Sequence, residues 1–391
     1  MSNTAQTTRF VVLPESDGAL SRAIARAGAS PAPTIRLFGR AFFAPFGLAR
    51  AGASPAPTIH GFASPSPSSD RKPNPGSLEE LRSAHPLRVL FFGMRGNFSY
   101  PPLLALLETG IQVCAVVIPA EQSLTGDLPA IGRREQPQTS RTMLTVLQST
   151  VHTSILQLAW ERHIPVWEVH RLTDPETISV LAAYQPDVIC VACFSKRIPR
   201  AILDIPRLGC LNVHPSLLPA NRGPEPLFWT FREGNHQTGV TIHLMDEGMD
   251  SGPIVAQEVV EVPDGISYTQ LETQCAELGG KLLARSVWDF YNGVAEPVPQ
   301  DETKSSHYAF PSDDDFVVPV AEWSAQHVYN FICGVASWGT SIILQVDDKT
   351  VHVKKAISYR HEDIGRSVSE MDESPGEGFW VRCKQGSVLV I

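Results

Sequence analysis

From Leu87 to about residue 292 the chain alternates short, almost wholly apolar runs with helix-like stretches that carry their own start and stop signals. No other feature limits the possible folds as strongly. Leu87-Arg88-Val89-Leu90-Phe91-Phe92 has the character of a strand buried on both faces, because a half-exposed strand would alternate polar with apolar side chains. A turn from Gly93 to Phe98 follows. Next comes a helix for which Ser99 is the cap, Pro101 and Pro102 fit the first turn, and Gly110 is the stop. Gln112 to Ile118 is a second buried strand, which completes a βαβ unit. The pattern continues with a polar loop over about 120–142, a long helix over roughly 143–162 and a strand from Pro165 to Val169. A helix capped at Thr173-Asp174-Pro175 leads to the strand Asp187 to Cys193. Leu211-Asn212-Val213, the strand Gly239 to Leu244 and a helix from about 267 to 292 finish it. The expected architecture is a doubly wound, mostly parallel α/β sheet of the Rossmann-like kind.

The flanks read differently. Residues 1–86 contain Ala-Arg-Ala-Gly-Ala-Ser-Pro-Ala-Pro-Thr-Ile twice, at 25–35 and 49–59, followed by Ser-Pro-Ser-Pro-Ser-Ser at 64–69. Such composition buries too little apolar surface to offset the entropy of ordering, so a disordered low-complexity extension is expected, with patchy helix around 36–48. Arg and Ala enrichment over 19–50 superficially suggests an organellar presequence, but an unstructured extension is the preferred reading. From about 305 a helix near Ser324 to Cys333 precedes β-type runs at Ile342–Val346, Val351–Ile357, Phe379–Arg382 and Val388–Ile391. That texture suits a small, partly open β-barrel, OB-like in kind. Three regions result: the extension, a catalytic domain over 87–300, and a small C-terminal domain over 305–391.

Charge divides along the same lines. Residues 1–86 carry nine Lys/Arg against five Asp/Glu, and the rest carries 23 against 36, for a net charge of -9 overall. An acidic body argues against a general nucleic-acid binder, whose affinity comes from clustered cations. Seven cysteines, mostly within apolar runs, suit reduced thiols in a cytoplasmic protein. Cys190-x-x-Cys193 lies inside a strand-like run and has no second CxxC, so a structural role is preferred over zinc or redox chemistry. No run is long enough to span a membrane.

Chemistry concentrates in Asn212-Val213-His214-Pro215-Ser216-Leu217-Leu218-Pro219, followed by Arg222-Gly223. Residues two apart on a strand share a face, so Asn212 and His214 project together while Val213 packs inward. Pro215 stops the strand and leaves both polar groups at its carboxyl end, where open α/β sheets place ligands. Downstream, Met245-Asp246-Glu247-Gly248-Met249-Asp250-Ser251-Gly252-Pro253 is a turn-rich loop with three carboxylates. Alone, a His at a strand end is usually structural and an Asp in a Gly-rich loop is usually a turn former. Their conjunction with Ser-Leu-Leu-Pro and Arg222-Gly223 favours function.

This pair of motifs, Asn-x-His-Pro-Ser-Leu-Leu-Pro and the later Asp-x-Gly-x-Asp-x-Gly-Pro-Ile, resembles the formyltransferase family, over approximately 87–300. That family includes methionyl-tRNA formyltransferase, glycinamide ribonucleotide formyltransferase and sugar-amine N-formyltransferases. Val328-Tyr329-Asn330-Phe331-Ile332 and Ala336-Ser337-Trp338 resemble the smaller C-terminal domain of the methionyl-tRNA members. The resemblance implies Asn212, His214 and Asp250 as catalytic positions and 10-formyltetrahydrofolate as co-substrate, with no metal. It implies folate contacts along Phe194, Ser195, Lys196, Arg197 and Ile198, along Ser216, Leu217, Leu218 and Pro219, and along Met245, Asp246, Glu247 and Gly248. Ile198 would be an apolar wall and Lys196 or Arg197 a partner for the glutamate tail.

Those residue types suit the reaction. An amine attacking a formyl carbon develops an oxyanion, to which a non-titrating amide such as Asn212 can donate. His214 can donate to the same oxygen or shuttle the proton, and Asp250 can orient the imidazole or relay the proton through a water. Initiator methionyl-tRNA is the expected acceptor, reached by Arg133, Arg134 and Arg141 in the 120–142 loop and by the C-terminal domain. The alternative is a small amine such as an amino sugar nucleotide, suggested by seven Lys/Arg against twelve Asp/Glu over 305–391 and by Glu225 in Arg222-Gly223-Pro224-Glu225-Pro226. A non-catalytic folate-binding module and a Rossmann oxidoreductase are weaker rivals, the latter because Gly93-Met94-Arg95-Gly96 lacks dinucleotide spacing. That turn could touch the acceptor instead. A zinc site from His214, His243 and Asp250 lacks ligand spacing and is discounted.

Overall fold

A computed structural model of the chain describes residues 86–121, 128–137, 154–362 and 368–391. The expected extension lies outside these residues except for Pro86, as do Arg141 and the first part of the helix expected over 143–162.

The first strand, β1 (Arg88–Gly93), leads through a single 3₁₀ turn into α1 (Tyr100–Glu108), and β2 (Gln112–Pro119) returns parallel to β1. After β3 (Ile131–Arg134) come α2 (Ile155–Glu161), β4 (Val166–Val169), α3 (Pro175–Ala182) and β5 (Val188–Ala192). A short α4 (Arg200–Leu203) precedes β6 (Cys210–His214), and α5 (Pro226–Arg232) precedes β7 (Gln237–Leu244) and β8 (Ile254–Glu261). The long α6 (Tyr268–Asn292) closes this part of the chain. Eight strands form one sheet in the order β3-β4-β2-β1-β5-β6-β7-β8. The pairs β4/β2, β2/β1, β1/β5 and β5/β6 are parallel, while β3/β4, β6/β7 and β7/β8 are antiparallel. The chain winds outward from β1 through β2 and β4, then returns to lay β5 on the other side. That reversal opens a crevice at the carboxyl ends of β1 and β5, and β6 borders it.

Physical signals in the chain account for the long helix. Ser267 Oγ accepts from Gln270 N while Gln270 Oε1 accepts from Ser267 N, and Gly293 ends the helix with φ of 68°. Gly279 and Gly280 let α6 approach two neighbours at once. A Cβ on Gly279 would stand 2.5 Å from Val213 Cγ1, and one on Gly280 would stand 2.8 Å from the Pro101 carbonyl of α1. Val213, Val240 and Ile242 are thereby sealed on the helix side of the sheet, leaving the opposite face of β6 and β7 for polar groups.

Several expectations shift. Ser99 stands at the start of α1, but its side chain does not cap the helix. Its hydroxyl instead donates to Ala192 O (2.7 Å) and accepts from Met94 N (2.9 Å), pinning the β1–α1 turn to the end of β5. The expected 120–142 loop contains β3, an edge strand antiparallel to β4. The strand β8 was not expected because its apolar residues come as pairs, Ile254-Val255 and Val259-Val260, rather than alternating. The C-terminal strands form two small sheets: β11-β10-β9, from β9 (Val317–Pro319), β10 (Ile342–Val346) and β11 (Lys349–Val353), and a four-stranded antiparallel one. The latter has the order β12-β15-β14-β13, from β12 (Ala356–Arg360), β13 (Met371–Ser374), β14 (Gly378–Arg382) and β15 (Ser387–Val390). The single strand expected over Val351–Ile357 breaks at Lys354 and Lys355, whose N–H groups both turn to the Ile391 carbonyl. The remaining helix, α7 (Ala325–Val335), packs on α5, so Phe228, Phe316, Phe331 and Trp338 form one aromatic cluster continuous with the main core.

Because Ser99 is fully buried and used twice, Ser99→Ala leaves Met94 N–H and Ala192 C=O without that partner. Denaturant unfolding should register a loss of about 1–3 kcal/mol. An unchanged midpoint would show that the hydroxyl does not anchor the turn.

Candidate active site

Strand pairing builds the site. In the β6/β7 register Asn212 stands opposite His243 and His214 opposite Thr241, so four polar side chains share the face that α6 leaves open. Thr241 braces the chain after Pro215: its hydroxyl donates to Ser216 O (2.6 Å) and accepts from Leu218 N (3.2 Å). Gln257 on β8 donates to Leu218 O (2.9 Å) and to Thr241 Oγ1 (2.7 Å). Folded back in this way, the segment 215–221 brings the Asn221 carbonyl within 2.9 Å of His214 Nε2. A carbonyl only accepts, so Nε2 carries the hydrogen and Nδ1 of the neutral ring holds the lone pair.

That lone pair faces Asp250. The loop after β7 turns over the sheet face rather than away from it, and Asp250 enters the left-handed region with φ of 52°, which Asp tolerates better than most residues. Its Oδ2 accepts from Gly223 N at 2.9 Å. Its Oδ1 lies 3.8 Å from His214 Nδ1 and 3.7 Å from His243 Nε2. The fourth member joins through Asn212 Nδ2, which is 3.1 Å from His243 Nε2. Asn212, His214 and Asp250 therefore converge, with His243 at their centre.

Burial and charge set the protonation states. Burial lowers the His214 pKa below its ordinary value, outweighing the opposing pull of Asp250 and of the Asn221 carbonyl. For Asp250 burial acts upward, but His214, His243 and the Gly223 N–H together hold the carboxyl well below the usual carboxylate range. A neutral imidazole beside an ionised carboxylate can take up a proton at Nδ1 and have the resulting cation stabilised at once. Behind this pair, the buried Arg222 forks onto Glu302 (2.9 and 2.8 Å) and reaches Gln300 Oε1 (2.6 Å). Gln300 Nε2 in turn donates to the carbonyls of Asp250 and Gly252, both at 2.7 Å. Gly223 is required where it stands: its φ is 123° and a Cβ would collide with the Tyr308 carbonyl.

The residues expected along the folate path take more varied positions. Phe194 and Met245 are partly buried on the smaller core cluster, Phe194 edge-on to Phe92 with centroids 5.2 Å apart. Ile198, 5% exposed, belongs to that same cluster. Lys196 Nζ donates to His170 O at 2.8 Å, which turns its ammonium toward the end of β4. Arg197 donates to the Glu247 carbonyl and so draws the 194–198 and 245–250 loops side by side. Both side chains keep further N–H donors beyond these single bonds. Ser195, Glu247 and Gly248 are exposed, while Asp246 Oδ1 accepts from Gly248 N (2.9 Å) and Ser251 Oγ (2.8 Å) to shape the turn. Ser216 and Leu218 are buried and Leu217 and Pro219 half-buried. Arg133 and Arg134 lie on β3, where Arg134 pairs with Glu168 at 2.9 Å and Arg133 with Glu135 at 3.2 Å. Cys190 is buried in β5 and Cys193 stands at its end. Thr241 was missed as a member of the site and His243 was weighed only as a zinc ligand, although polar residues at 241 and 243 between Val240, Ile242 and Leu244 marked one polar face.

Fold and site together are those of an α/β enzyme whose polar groups converge beside the switch point of a mostly parallel sheet. A family model described as formyl transferase matches residues 89–287. A methionyl-tRNA formyltransferase from Synechococcus sp. (strain JA-3-3Ab) is 38% identical over 78% of this chain and 89% of its own length. Another from Pelobacter propionicus is 29% identical over 77% of this chain and 86% of its own. Among solved structures, an N-formyltransferase from Helicobacter canadensis, in complex with folinic acid and dTDP-3-aminofucose, superposes with a TM-score of 0.55. At 17% identity, over 78% of this chain and 98% of that one, it demonstrates the common fold. The chain belongs to the formyl transferase family, and it is a formyltransferase.

The buried imidazole makes a pH test of the site. With its folded pKa below the ordinary value near 6.5, His214 takes up protons in the unfolded chain before it does so in the native one. Stability therefore rises with pH through that window and falls on acidification below about 6.5. His214→Gln should flatten this slope in thermal unfolding between pH 7 and 5. Equal slopes in parent and variant would mean that His214 is not held neutral by burial.

Proposed function

We propose that this formyltransferase moves the formyl group of 10-formyltetrahydrofolate to the amino group of methionyl-tRNA. Convergence of Asn212, His214 and Asp250 on one sheet face carries the chemical half of this reading. The acceptor rests on the curated relatives, which carry the methionyl-tRNA name and align over nearly their whole length, beyond the segment matched by the family model. When bound, the folate supplies a formyl carbon held as an amide on its N10 nitrogen. The paired 194–198 and 245–250 loops, with Phe194 and Met245 beneath and Glu247 and Gly248 exposed, suit a flat heteroaromatic ring.

Each polar group then has a task. Asn212 donates an amide hydrogen to the oxygen that gains charge as the amine adds. His214 accepts the amine's proton at Nδ1, the nitrogen left free by the Asn221 bond, and Asp250 stabilises the imidazolium until the proton passes to the departing nitrogen. Arg133, exposed on β3, and the region 305–391 are the surfaces assigned to the acceptor arm, the latter as a small barrel-like accessory domain to the 87–300 catalytic domain. A cytoplasmic enzyme of translation initiation is the corresponding role. The acidic balance of 305–391 supports a second reading, in which the acceptor is a small amine such as an amino sugar nucleotide.

Formyl transfer to charged initiator tRNA, run beside dTDP-amino sugars, separates the two. A transfer rate that falls steeply with added salt supports the tRNA reading, and transfer to the sugars alone defeats it. With the working acceptor, Asn212→Ala, His214→Ala and Asp250→Ala should each lower kcat at least ~100-fold. Near-parental turnover in any one removes that residue from the catalytic set.

A further inference from the structure

We propose that His243 is a positioning residue for formyl transfer, fixing the Asn212 amide with its nitrogen, and not its oxygen, turned to the imidazole. The inference rests on the reading of Asn212 as the donor to the formyl oxygen. His243 is 2% exposed and stands directly across the β6/β7 ladder from Asn212. Both of its ring nitrogens have partners of settled chemistry. Nδ1 is 2.9 Å from the Leu244 carbonyl, which only accepts, so Nδ1 carries the hydrogen. Nε2 of the neutral ring then holds a lone pair, and Asn212 Nδ2, 3.1 Å away, only donates. In the neutral ring, one tautomer and one amide orientation satisfy both contacts.

The reverse orientation is penalised. Turning the amide over would set Asn212 Oδ1 against the Nε2 lone pair, with Asp250 Oδ1 3.7 Å from that same nitrogen. Lone pairs so placed repel strongly where little water reaches. With nitrogen toward His243, one Nδ2 hydrogen is used by the imidazole and the other remains for the oxygen that becomes negative. An amide free to turn would present its carbonyl to that oxygen for part of the time, an arrangement that opposes the reaction. The nitrogen is selected by an acceptor on the neighbouring strand, so His243 acts without touching substrate.

Kinetics on the full chain test this with whichever acceptor the parent formylates. His243→Leu, which removes the acceptor, should lower kcat ~10–100-fold while KM for donor and acceptor stays within ~2-fold. His243→Gln offers a carbonyl oxygen to Asn212 Nδ2 and should recover most of the loss. Adding His243→Leu to Asn212→Ala should cost nothing further, because the two act through one group. Equal losses in the Leu and Gln variants, or additive losses in the double variant, would overturn the positioning role. Parental turnover in His243→Leu would do the same while Asn212→Ala remains impaired. Parental turnover in Asn212→Ala would sink the underlying reading as well. Independently of activity, nitrogen-15 NMR of isotope-labelled parent should show His243 with Nδ1 protonated and Nε2 bare, the ring signals being assigned by through-bond correlation to the His243 backbone. A hydrogen on Nε2 would refute the proposal even if the variants failed to fold.

Discussion

A carboxylate taken out of water is tolerated only when nearby donors and charges replace its hydration, and the site in this chain is organised around that demand. Asp250 meets it with the Gly223 N–H donated to one oxygen, while the other stands 3.8 and 3.7 Å from the imidazoles of His214 and His243. Both conditions reach far along the chain. Gly223 can present its N–H only because it lacks a side chain where it passes the Tyr308 carbonyl. The imidazoles face Asp250 only because β6 and β7 pair in a register that sets both on the side away from α6. Keeping Asp250 ionised also gives the neutral His214 a counter-charge for any proton it accepts, so one electrostatic arrangement serves stability and the proposed chemistry together.

Behind Asp250 lies a second constraint. Arg222 is almost completely buried, yet its guanidinium is matched to the exposed Glu302 carboxylate and to Gln300. Planar bidentate pairing is the geometry in which an arginine can be buried at least cost. Gln300 passes the restraint on by holding the carbonyls on both sides of Ser251. The strand-like bridge between Arg222 and His307 continues it, so the segment 300–308 is tied to the catalytic loop before the chain enters its C-terminal sheets. Local interactions in one long connection thus fix the backbone that positions Asp250, which by itself occupies a left-handed conformation.

Much of the fold could be read from local signals. Continuous apolar runs marked β1, β2 and β5, and a cap marked α3, because these depend on neighbours within a few residues. Edge elements were harder. β3 reads as a polar loop since Gly132, Arg133 and Arg134 gain their strand character only by pairing with β4. β8 is half-exposed and carries its apolar residues in pairs. Ser99 was assigned a local task, capping, and performs a long-range one, because its partner Ala192 O arrives from the end of another strand.

For the site, the sequence alone determined that Asn212 and His214 share a face, since strand periodicity is a property of the backbone, and that Asp250 lies in a turn-forming loop. Tertiary structure alone decided that this loop folds back over the sheet, that His243 lands between the three, and that Lys196 and Arg197 bond to backbone carbonyls. The difference is physical: alternation along one strand is fixed by bond geometry over three residues. Which residue faces which across two strands and a returning loop depends on register and packing that no single segment encodes.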